Sequence, residues 1–200
     1  MVQHLRVTYN DIHNLIRKST PEIAQYNPDL LVAIGGGGFF PARVMRTFLR
    51  EVTEHKALQI QAIGLSLYEP VEGTSAEVIG QEVIRTQWLG PDSGKLLLGR
   101  RNLIVDEVDD TRKTLHYALS ELQKDVEQEL LKHPESERAA LRDATKFGIF
   151  VVHNKRKDQA RRPALGPSGP LWRMSGSTTP WEAMDIEEHD RLAAADKTSN

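Results

Sequence analysis

Four acids, two hydroxyls and two bases crowd into nine residues, Asp106-Glu107-Val108-Asp109-Asp110-Thr111-Arg112-Lys113-Thr114. The apolar run Leu103-Ile104-Val105 ahead of them reads as a buried strand, and a helical pattern follows. Carboxylates at the end of a buried strand are costly to desolvate unless they hold something. Hydroxyls, bases and free backbone N–H groups at a helix N-terminus form an anion site. Together they describe a pocket for a phosphorylated sugar with a metal ion. The plainer alternative is an acidic turn that caps the helix. A second candidate is Gly35-Gly36-Gly37-Gly38-Phe39-Phe40-Pro41, which follows the apolar run Leu30–Ile34. Glycine lets backbone N–H groups approach an anion closely. On its own this loop also fits a tight turn or the start of a dinucleotide fold, but it lacks the GxGxxG-to-acid pattern of the latter.

These residues need elements to hold them. Asn10 is placed to cap a helix bearing Ile12, Leu15 and Ile16. Leu30–Ile34, Leu58–Tyr68, Arg85–Leu89, Leu103–Val108 and Phe147–Val152 read as strands. A helix runs through Val44, Phe48 and Leu49, and a longer one places Leu115, Ala118, Leu119, Leu122, Val126 and Leu130 on one face. Residues 69–80 are polar and without period, as expected of a mobile loop. Strands alternating with helices predict an α/β fold, a mainly parallel sheet flanked by helices. Its ligands belong at the carboxyl ends of the strands.

The chain has 200 residues and a formal net charge of −2, so no global basic field attracts nucleic acid. No apolar run reaches the roughly 18 residues of a membrane span. There are no cysteines, which excludes disulfides and a cysteine-rich zinc site. Met-Val-Gln-His-Leu-Arg at the N-terminus carries no apolar signal, so a cytoplasmic protein is expected. The expected domains are a core over 1–154, an irregular segment over 155–180 rich in Lys, Arg, Pro, Gly and Ser, and a C-terminal element with a polar tail over 181–200.

The strand, acid pair, loop and helix around 103–115, with the four glycines, resemble the type I phosphoribosyltransferases, and from about residue 5 to 153 the purine branch of that family. The resemblance implies that fold, with a small purine-binding hood built from the termini, and Mg2+ as cofactor. It implies that Asp106 and Glu107 hold the ribose hydroxyls of phosphoribosyl pyrophosphate (PRPP), and that Asp110 is the catalytic carboxylate near purine N7. Thr111, Arg112, Lys113 and Thr114 would grip the 5′-phosphate. Most of the family has Gly where this chain has Arg112, which must then keep an ordinary backbone or accept strain, while its guanidinium could add a phosphate contact. Gly35, Gly36 and Gly37 would form the pyrophosphate loop, with a non-proline cis peptide at Gly35–Gly36. Tyr68 would begin a lid over the reaction centre, the alternative being a simple hairpin with Tyr68 at its edge.

The purine side is carried over less completely. The family's O6 donor falls at His153, with Lys155 as the other candidate, and a structural histidine is the alternative reading. Pro180-Trp181-Glu182 matches the family's Pro-Trp-acid element, so Trp181 and Glu182 are purine-site candidates. Asp106, Glu107 and Glu182 are the metal-site candidates, acting mostly through substrate and water. The stacking aromatic expected at Gly176 is missing, and Trp172 is out of register. One encoding of Met174–Thr179, shifted by a base, reads Val-Trp-Ile-Asn-Tyr, which makes residues 161–179 a candidate shifted reading frame. The implied function is purine salvage: phosphoribosyl transfer from PRPP to N9 of hypoxanthine, guanine or xanthine by a homodimer or homotetramer. The rival is a catalytically impaired protein of the same fold that senses PRPP or nucleotides.

Overall fold

The structure, a computed structural model, describes residues 6–70, 77–154, 171–175 and 179–198. In chain order the elements are α1 (Tyr9–Tyr26), β1 (Leu30–Gly35), α2 (Phe39–Val52), β2 (Gln59–Pro70), β3 (Glu77–Gln87), α3 (Ser93–Leu97), β4 (Arg101–Asp109), α4 (Lys113–Leu130), α5 (Glu135–Ala144), β5 (Lys146–Asn154), β6 (Leu171–Ser175), a 3-10 turn at Pro180–Glu182, and α6 (Ile186–Thr198). The strands form one sheet in the order β3-β2-β1-β4-β5-β6. Every pairing is parallel except β2 with β3, which is an antiparallel hairpin.

The central strands carry continuous apolar runs, Leu30–Ile34, Leu103–Val105 and Ile149–Val152, because both faces of the sheet are covered. Side chains alternate across a strand, and the two cores divide accordingly. Leu30, Val32, Ile34, Ile104, Ile149 and Val151 pack with the α4 stripe Leu115–Leu130. Leu31, Ala33, Leu103, Val105, Phe150 and Val152 pack with Ile12, Ile16 and Ile23 of α1 and with Ala42, Met45 and Leu49 of α2. Helices on both faces leave the carboxyl edge of the sheet as the place for ligands.

The structure corrects three expectations and adds one helix. Thr8, not Asn10, caps α1: its hydroxyl accepts from Asp11 N at 3.1 Å and its own N donates to Asp11 Oδ2 at 2.9 Å. This reciprocal pair satisfies two helix-end groups where a lone Asn satisfies one. Of the stretch read as a loop over 69–80, the described residues are strand, since β2 runs to Pro70 and β3 starts at Glu77, before the expected Arg85. Cross-strand pairing extends it where composition shows no period. Residues 171–175, inside the segment read as irregular, form β6 by pairing with the free edge of β5. Helix α5 has no buried residue, so it left no apolar stripe in the sequence.

The first and last described segments are joined. His189 Nε2 is 2.9 Å from Val7 O, Arg6 pairs with Asp196 at 3.1 Å, and Lys197 pairs with Asp11 at 2.7 Å. These contacts dock α6 beside the start of α1 and hold the Pro180–Glu182 turn over the sheet edge.

Candidate active site

A cleft of about 370 Å³ opens at the carboxyl ends of β1, β2 and β4. Strand β1 delivers Gly35, Gly36 and Gly37 to its wall; β4 and the following loop deliver Asp106, Glu107, Asp110, Thr111, Arg112 and Thr114; the C-terminal turn delivers Glu182. Ten of the residues predicted from the sequence thus meet in one place. The Gly35–Gly36 peptide is cis. A Cβ on Gly37 would collide with the Glu107 carboxylate, and one on Gly38 with the carbonyls of Ile34 and Val105. At Gly37 and Gly38 the loop therefore lies directly on the ends of β1 and β4, with no room for a side chain.

Asp106 is almost fully buried, and its Oδ1 accepts from Glu107 N at 2.8 Å. Burial pushes its carboxyl up to about 7; the Glu107 N–H opposes this, and the neighbouring Glu107 and Asp109 charges add to it. Glu107 accepts a hydrogen bond from the hydroxyl of Thr179, which is buried at the head of the Pro180–Glu182 turn. The C-terminal turn is thereby tied to an acid of β4.

The loop after β4 ends in an unusual residue. Arg112 has φ 65° and ψ 0°, the left-handed region, and occupies the N-cap of α4 without a side-chain cap. A non-glycine residue there costs roughly 1–2 kcal/mol. Of the two alternatives open to Arg112, the strained backbone is the one observed. The guanidinium is not turned outward: Nε and Nη2 donate to Asp109 Oδ2 at 3.1 and 2.8 Å. Only 17% of the Arg112 side chain and none of Asp109 is exposed. The N-terminus of α4, left without a side-chain cap by Arg112 and with Lys113 N donating to the Thr111 hydroxyl at 3.4 Å, offers its remaining backbone N–H groups and a positive dipole end to an anion.

Other expected residues lie elsewhere. Lys113 is exposed and off the cleft wall. His153 is fully buried in β5, in register with Val108, and is not on that wall. Trp181 packs among Tyr9 and Phe40, with ring centroids 6.3 and 5.9 Å away; Glu182 beside it reaches the cleft. Tyr68 is in β2 with Ile79 as its backbone partner. Lys155 and Gly176 lie outside the described residues, as does most of 161–179.

Four contributors were missed. Leu65 and Ser66 of β2 line the cleft. Asp109 fills a place where the family order allows any residue; the signal available was an acid three residues before a base. Thr179 had only its position before Pro180-Trp181 to mark it.

Asp106, Glu107 and Glu182 are hard oxygen donors on one cleft, the type Mg2+ prefers. Among the described residues no three such groups form a ready-made cage. Mg2+ commonly keeps waters and takes one or two carboxylates plus substrate phosphates. The donors present fit that mode of holding.

Solved structures share this architecture. A hypothetical protein from Neisseria gonorrhoeae with bound ppGpp superposes with a TM-score of 0.69 at 32% identity, covering 98% of each chain. The purine phosphoribosyltransferase of Pyrococcus horikoshii superposes at 0.60 with 18% identity, covering 92% of this chain and 98% of that one, a likeness of fold. The fold is that of the type I phosphoribosyltransferases. No protein-family model matches the chain. Its curated relatives are more specific. The hypoxanthine-guanine phosphoribosyltransferase of Schizosaccharomyces pombe is 48% identical over 95% of this chain and 94% of its own. Xanthine phosphoribosyltransferase 1 of Saccharomyces cerevisiae is 45% identical over 96% of both. The chain belongs to the purine phosphoribosyltransferase family, alongside these fungal hypoxanthine-guanine and xanthine enzymes.

Proposed function

We propose that the protein transfers the phosphoribosyl group of PRPP to N9 of a 6-oxopurine, giving IMP, GMP or XMP and pyrophosphate in purine salvage. The observation that carries this is the single cleft shared by the strand-end acids of β4, the N-terminus of α4 and the glycine loop after β1. Those three parts suit the hydroxyls, the 5′-phosphate and the pyrophosphate of one substrate. Asp106 and Glu107 would take the ribose hydroxyls. Residues 111–114 would hold the phosphate, mainly through backbone N–H groups, and Gly35–Gly37 the pyrophosphate.

In the reaction the bond from C1′ to the pyrophosphate oxygen breaks and the bond from C1′ to N9 forms. The purine loses one proton, which Asp110 would accept. Mg2+, when bound, would neutralise charge on the departing pyrophosphate. Glu182 is assigned to the purine and outer metal side, with Trp181 anchoring its turn. Tyr68 is retained as the lid residue, and His153 and Lys155 as rival O6 donors.

The N-terminal core and the docked C-terminal turn and helix would act as one catalytic unit, in a homodimer or homotetramer in the cytoplasm. No described helix is long and apolar enough to cross a membrane. The sensor alternative is not favoured, since the curated relatives are named as transferases. The test is nucleotide formation from PRPP and Mg2+ with hypoxanthine, guanine, xanthine and adenine in parallel. Turnover of a 6-oxopurine but not adenine is expected; PRPP binding without conversion of any base would overturn the assignment.

A further inference from the structure

Arg112 sits where a left-handed backbone favours glycine, and its guanidinium is spent on a wholly buried carboxylate rather than on the cleft. We propose that Asp109 is a positioning residue for PRPP: its ion pair locks Arg112 in the left-handed conformation and so sets the course of the phosphate loop. The inference rests on the transferase reading and adds a residue to it.

The geometry supports the lock in three ways. Asp109 is the last residue of β4, and its neighbour Asp110 begins the loop, so the carboxylate is fixed to the sheet. Two guanidinium nitrogens grip the same oxygen, Oδ2, and both side chains are shielded from competing water. Arg112 O accepts from His116 N at 2.9 Å, the first turn of α4. Its φ therefore decides where residues 110 and 111 lie relative to the fixed helix. Relaxation to an ordinary negative φ would swing that side of the loop away from the helix N-terminus. Freed from Asp109, Arg112 has no reason to keep its present backbone; glycine in its place needs no such restraint.

Because a loop that holds a 5′-phosphate binds it in ground and transition states alike, the lock should act on KM rather than kcat. Three variants test it: Asp109→Asn, Arg112→Gly, and the two together, assayed for KM of PRPP, KM of hypoxanthine and kcat, with thermal unfolding alongside. Asp109→Asn is expected to raise KM for PRPP about tenfold while KM for hypoxanthine moves less than about twofold. Arg112→Gly alone should also weaken PRPP, because it strips a buried carboxylate of its cation. The double variant should recover to within about threefold of the original KM, since glycine takes the left-handed turn unaided. A double variant no better than Asp109→Asn, or a PRPP KM that Asp109→Asn leaves unmoved, overturns the proposal. A crystal structure of Asp109→Asn gives a readout independent of turnover. A positive φ retained at residue 112 overturns the lock, whereas a wild-type protein that converts no base would count against the transferase reading instead.

Discussion

The two ends of the cleft are built differently. The end assigned to PRPP is made of two short stretches, 35–37 and 106–114, each leaving a central strand of the sheet. The end assigned to the purine depends on a turn more than seventy residues beyond β4 in sequence. That turn is held by Thr179 on Glu107, by the Trp181 aromatic cluster and by the α6 contacts to Val7, Arg6 and Asp11. Phosphate recognition by backbone N–H groups needs only a local fold. Base recognition by side chains needs distant segments to arrive together, and it is therefore the more easily disturbed.

Substitutions can break this contrast or sharpen it. The largest effect belongs to Asp110→Asn, which keeps shape but removes the proton acceptor. The value of kcat for hypoxanthine should fall about 10²–10⁴-fold, and stopped-time nucleotide assays would show it. Glu182→Ala comes next. Removing a charged hydrogen-bond acceptor should raise the purine KM on the order of tenfold and leave that for PRPP nearly unchanged. If both constants rise equally, the two ends are not separable.

Proton concentration acts on the other end. In the proposed role Asp106 accepts ribose hydroxyls as a carboxylate, and burial pushes its carboxyl up to about 7. KM for PRPP should therefore fall about tenfold from pH 6 to pH 8, with Asp106→Asn as a flat reference profile. In the free protein the same group lowers stability as pH rises from about 4 to about 7, because the folded state keeps a proton that the unfolded chain releases. Urea midpoints against pH would trace that slope. The smallest effect is expected from Thr179→Val, which removes the hydroxyl on Glu107 at the joint between the two ends. Loss of about 1 kcal/mol should raise both substrate constants a few-fold, and steady-state assays varying each substrate would detect it.

The contrast also governs what could be read from the chain. Leu30–Ile34 into four glycines, and Leu103–Val105 into paired acids, are contiguous signals, and they mark the cleft wall residue by residue. The α4 stripe from Leu115 to Leu130 is buried as its spacing predicts. Strand β6 left no comparable signal, since a few apolar residues among Gly, Pro and Ser pair only because β5 presents an edge. His153 was matched by register alone, and the structure buries it in β5 off the cleft wall. Distance along the chain hid Thr179, whose partner lies 72 residues away. Arg112 was legible as a departure from the family pattern, but its partner Asp109 was not, because the family order assigns that place no residue type.

The glycine loop resting on the carbonyls of Ile34 and Val105 has a further consequence. The two loops assigned to pyrophosphate and 5′-phosphate leave adjacent strands, β1 and β4, joined in register at Ala33 and Val105. Neighbouring strands lie about 4.8 Å apart, a spacing set by their hydrogen bonds. The gap between the two loops is thus a ruler cut into the backbone. Side-chain exchange can change how firmly each mark grips, but the distance between the marks belongs to the sheet.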